Sequence, residues 1–101
     1  MPFIVNMSQL LSLKLEIKQS ANPERAKISQ RFFKTRKGEY GEGDIFVGIA
    51  VPESRKISKK YLSLQLEEIS ELLKSKIHEE RLIALLILVD KFKKAKKNKS
   101  E

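Results

Sequence analysis

Apolar residues along the chain recur mainly at helical spacing. Leu66, Ile69, Leu72 and Leu73 fall at i, i+3, i+6 and i+7, which predicts a helix over about 65–74. In "ANPERAKISQRFFK", Asn22 suits an N-cap, Pro23 the first helical position and Glu24 the positive end of the helix dipole, so a helix starts there. Pro52 opens a second such segment, "PESRKISKKY", which reads as a short helix ending near Tyr61. "SQLLSLKLEIK" forms a helix capped by Ser8, although its apolar positions partly alternate and fit a strand as well. The last helix runs from about Ile77 into a lysine-rich end. Short polar connections between these segments make successive helices antiparallel neighbours, as in a bundle or a helical solenoid, and the fold class is all-α.

The last helix bears on the choice of architecture. Leu82, Leu85, Leu86 and Val89 make one apolar stripe, and Ile83, Ile87 and Leu88 put apolar groups on much of the remaining circumference. Such a helix expects neighbours on two sides, whereas only lysines follow it. The pattern is that of a truncated solenoid, and it predicts a homo-oligomer in contact through Ile83, Ile87 and Leu88.

Residues 37–56, "KGEYGEGDIFVGIAVPESRK", differ from the rest in their glycines. They contain neither G-x-x-x-x-G-K-[ST] nor G-x-G-x-x-G, so a nucleotide site is not indicated. Glu39, Glu42 and Asp44 lack calcium-loop spacing and read as solvated loop acids. His78 is followed by "EERL", without the second histidine of H-E-x-x-H, and reads as a surface or capping residue. No metal, cofactor or catalytic residue is assigned.

At 101 residues the chain holds one domain, placed at 1–95, with 96–101 as a basic and disordered tail. It has no cysteine, hence no disulfide framework and no thiolate metal site, which suits the cytoplasm. The longest apolar run, residues 82–89, falls far short of the roughly 20 residues of a membrane helix, so no membrane partner is expected. The net charge of +8 favours a polyanionic partner, though "KFKKAKKNKS" alone supplies six lysines. Two basic stripes lie nearer the middle: Lys27, Arg31 and Lys34 on the Asn22-capped helix, and Arg55, Lys56, Lys59 and Lys60 after Pro52. Either stripe alone fits an ordinary solvated face; the pair, flanking one Gly-rich connector, points to a polyanion.

Three segments in order, "NPERAKISQRFFKT", "GEYGEGDIFVGIAVPESRKI" and "LLKSKIHEERLIALLILVDKFKKA", resemble the N-terminal portion of the AlkD-like DNA alkylation repair enzymes, from Asn22 to Ala95. The resemblance implies a right-handed solenoid of HEAT-like repeats. Its basic concave face would hold duplex DNA, with N-glycosylase activity towards cationic alkylated purines. The Gly-rich stretch would then be the connector to the first repeat pair, anchored by Phe46, Val47 and Ile49. By the same resemblance, Phe32 matches an aromatic near the minor groove, and Val51 and Arg55 match residues near the DNA backbone. Ala50 departs from relatives that carry arginine there. Family members that excise bases use a downstream acidic residue among tryptophans, plus an arginine, on later repeats, and this chain has no tryptophan. The expectation is therefore a DNA-binding portion of a repair protein that is inactive alone. The alternative is a stand-alone helical module that binds nucleic acid or protein without catalysis.

Overall fold

A computed structural model describes residues 8–39 and 41–99. Residues 1–7 of the expected domain, Tyr40 of the G-E-Y-G motif and residues 100–101 of the expected tail lie outside the described residues. The fold is all-α, with helices α1 (Gln9–Gln19), α2 (Pro23–Phe32), α3 (Val51–Lys59), α4 (Leu66–Leu73) and α5 (His78–Lys99).

The starts of the first two helices follow from local chemistry. The Ser8 hydroxyl accepts from the Leu11 N–H at 3.1 Å, and Asn22 Oδ1 accepts from the Glu24 and Arg25 N–H groups at 3.0 and 3.1 Å. Each cap satisfies amide donors that have no partner inside the helix. α1 is thus a helix despite its partial alternation, with Leu13 and Ile17, at i and i+4, on its buried side.

α5 is the spine on which α1, α3 and α4 assemble. It packs along α3 and α4, and α1 lies against both α3 and α5. Only residues 74–77 join α4 to α5, so their contact makes an antiparallel hairpin. The core unites Leu13 and Ile17 of α1, Ile57 of α3, Ile69 and Leu72 of α4, and Ile83, Ala84 and Ile87 of α5, with Ile49 and Leu64 from the connections. Ser54 and Ser58 share the buried side of α3 with Ile57, and such small side chains let two helices approach closely.

This arrangement reverses the expected faces of α5. Ile83 and Ile87, expected to point outwards into an oligomer contact, are fully buried in the chain's own core, with Leu88 packed against them. Of the stripe expected to face inwards, Leu85 is 51% and Val89 48% exposed. Ile83 and Ile87 therefore cannot form a contact between folded copies. The outward apolar groups of α5 are Leu85, Val89 and Phe92.

α2 buries no residue and is held by the Gly-rich connector rather than by a helix face. The Asn22 N–H donates to the Val47 carbonyl at 2.8 Å, and Gln30 Oε1 accepts from the Phe46 N–H at 2.7 Å. Gly48 makes this close approach possible: its φ is +87°, and a Cβ there would lie 2.0 Å from the Asn22 carbonyl oxygen. The connector is anchored as expected, with Phe46 and Ile49 buried and Val47 packed on the core.

Candidate nucleic-acid interface

α3 turns Ser54, Ile57 and Ser58 inwards, which leaves Arg55, Lys56 and Lys59 exposed. Arg55 and Lys59 face α5 across a groove of about 260 Å³ that also includes Leu86, Val89, Asp90 and Lys93. Lys59 and Asp90 divide this groove from a larger one, of about 680 Å³, where Lys60 of the α3 end meets Lys91 and Lys94 of α5. The fold thus brings part of the α3 stripe together with the lysine-rich end of α5, which continues as helix to Lys99.

Lys60 is engaged differently from its neighbours. Its Nζ donates to Glu16 Oε2 at 2.6 Å, and the Tyr61 hydroxyl donates to Glu16 Oε1 at 3.0 Å. The hydrogen bond to Glu16 and the attraction of its charge raise the Lys60 pKa above the ordinary 10.5. Burial, reinforced by Glu16, raises that of Tyr61 above 10.0. Lys60 thus ties α1 to the end of α3, which reduces its share of the positive field.

The stripe on α2 lies at a separate place. Lys27 and Arg31 border a shallow depression with Gln30, Thr35 and Arg36, while Lys34 ends the helix turn in the left-handed region at φ 52°. Phe32 is 75% exposed and meets Phe33 edge-on, with ring centroids 5.0 Å apart.

Between α2 and the start of α3 runs a cleft of about 390 Å³ that includes Arg25, Phe33, Val51 and Glu79. Along it Phe33 stacks on Phe46 at 5.0 Å, and Phe46 stacks on His78 at 4.5 Å. His78 is therefore not a plain surface residue. Its Nδ1 is 3.5 Å from Asp44 Oδ2, and Arg81 donates to Asp44 Oδ1 at 2.7 Å, so Asp44 is an ion-paired anchor and not a solvated loop acid. Glu79 is 3% exposed and accepts from three backbone amides: Val47 at 3.0 Å, Gly48 at 2.9 Å and Ile49 at 3.3 Å. Sequence reasoning missed Arg25 and Glu79. For Arg25 a signal existed, because Arg25, Ser29 and Phe33 follow one another at i, i+4 and i+8 along α2.

A sequence model described as DNA alkylation repair enzyme matches residues 13–101. The chain belongs to that family. The span shared with the DNA alkylation repair enzymes covers α2 to α5 entirely, together with the aromatic cleft and all the basic positions named above. Comparison with curated proteins and with solved structures gives no match.

Proposed function

We propose that this DNA alkylation repair family chain binds duplex DNA through phosphate contacts along the α3–α5 groove, with Arg55, Lys59 and Lys93 as the principal cations. The observation that carries the reading is the convergence of Arg55 and Lys59 with the lysine-rich end of α5 on one surface. Lysines three or four apart, such as Lys93 and Lys97, repel one another along a helix, and a polyanion relieves that repulsion. Lys56 adds to this contact beside Arg55, while Lys27, Arg31, Lys34 and exposed Phe32 offer a second, separate contact on α2, and Lys60 adds least because Glu16 holds it. We further infer that the α4–α5 hairpin is a HEAT-like repeat unit, and that the protein works in the cytoplasm, which suits its lack of cysteine.

Fluorescence anisotropy on a labelled duplex tests the reading. Weak, sequence-independent binding is expected, in the range of about 10⁻⁴ to 10⁻⁶ M at physiological salt. Replacing Arg55, Lys59 and Lys93 together by glutamine should reduce the slope of log affinity against log salt by about 2.7, since each phosphate contact accounts for about 0.9. An unchanged slope would remove these residues from the interface.

A further inference from the structure

α5 is longer than the helices it packs on, with 22 residues against 9 in α3 and 8 in α4. At about 1.5 Å per residue it reaches about 33 Å, so its last turns run on beyond the core. Its inner side carries Ile83 and Ile87 where α3 and α4 cover it. The positions that continue this side, i+4 and i+7 from Ile87, are Lys91 and Lys94. There α5 faces the α3–α4 connection across the 680 Å³ groove, whose apolar side chains are Leu62, Leu66 and Ala95. Leu66 is 64% exposed and Leu62 37%. Lys59, Lys60, Lys91 and Lys94 line the same groove, with Asp90 as the one acid among the described residues that line it.

This combination selects an occupant. A sugar-phosphate backbone offers charge to the lysines but little to cover Leu62 and Leu66. A second copy of a chain with net charge +8 would bring lysine against lysine. What satisfies both features is a segment with leucine-like side chains on one side and carboxylates flanking them. We propose that the groove docks an acidic amphipathic helix of a partner protein, with apolar anchors on Leu62, Leu66 and Ala95 and carboxylates on Lys59, Lys91 and Lys94. Only Lys59 is shared with the principal DNA contacts proposed above, so the two activities are separable.

The test uses the intact protein and two labelled synthetic peptides of about 16 residues, one of glutamate and alanine with leucines at i, i+3, i+4 and i+7, the other with glutamine at those positions. The leucine peptide should bind about tenfold more tightly than the glutamine peptide, the factor expected from burying one leucine side chain. Leu66→Asn leaves the charge unaltered, and it should weaken the leucine peptide about tenfold while duplex DNA affinity stays at the parent value. Leu62→Asn provides the same comparison at the adjoining position, and thermal melts confirm that each variant is folded. Equal binding of the two peptides would overturn the proposal, as would parent-like peptide binding by both folded variants. Equal weakening of peptide and DNA would overturn it too, making the groove part of a nucleic-acid surface.

Discussion

Glu79 and Gly48 are 31 positions apart in the chain, yet the carboxylate of the first accepts the backbone N–H of the second at 2.9 Å, in the place where α2, the connector and α5 meet. Only a residue without a Cβ fits at Gly48, and the connector around it leaves successive amides without backbone partners. Glu79 satisfies three of them from one buried side chain. Hydrogen bonds to a charged group contribute about 1.5–3 kcal/mol each, and they are not additive within such a cluster. Glu79→Gln, which retains the shape and loses the charge, should cost about 2–3 kcal/mol in urea denaturation. A loss below about 0.5 kcal/mol would show that a neutral amide at this position serves the three N–H groups as well as the carboxylate does.

Ile87 and Val89 give the clearest contrast between core and surface, because they are two positions apart on one helix and differ from 0% to 48% exposure. Ile87→Ala should cost about 2–5 kcal/mol, as truncations in a filled core do. Val89→Ala should stay within about 0.5 kcal/mol, as surface changes do. Thermal melts of both variants check the pair, and similar losses at the two positions would mean that the faces of α5 are wrongly assigned.

That assignment was the part of the fold least legible in the sequence. Ser8, Asn22 and Pro23 announce helix starts because a cap acts within three residues of itself. The run of residues 82–89 is apolar around the whole helix, so its periodicity states that the helix is buried without stating which side. What decides the side is the register of α5 against α3 and α4, a long-range property. The same holds for Glu79, which in the sequence only follows His78 in an incomplete H-E-x-x-H, and for Lys60, whose partner Glu16 is 44 positions away. The basic surface was legible residue by residue. Its joining to Lys91, Lys93 and Lys94 was not, because that depends on how far α5 outruns its neighbours.

Base excision by this chain alone is expected to be absent, on the grounds of the carboxylates that flank its aromatic cleft. Stabilising a developing sugar cation needs a carboxylate aimed at open space beside the substrate. Both oxygens of Glu79 are taken by backbone amides, and Asp44 is held by Arg81 at 2.7 Å with His78 beside it. In a single-turnover assay with excess protein on duplex DNA carrying 7-methylguanine, release should proceed at the spontaneous rate. Faster release that disappears in Asp44→Asn would place a catalytic acid in this cleft.

The Glu16, Lys60 and Tyr61 cluster sets a pH dependence whose sign can be worked out. The folded protein holds the Lys60 proton more firmly than the unfolded chain, because Glu16 bonds to the charged ammonium. It also holds the Tyr61 proton more firmly, because burial and Glu16 disfavour the phenolate. Both folded pKa values lie above the ordinary 10.5 and 10.0, so the unfolded state loses its protons first as pH rises. The stabilisation is therefore fully present below the unfolded values. It declines once pH passes about 10 and is gone above the folded values. Urea midpoints should be insensitive to these two groups between pH 7 and 9 and should fall on the alkaline side. Tyr61→Phe removes one titrating proton and Lys60→Met the other, so each variant should show a shallower alkaline decline than the parent, and the double variant the shallowest. An alkaline decline of the same steepness in all four proteins would assign it to groups other than this cluster.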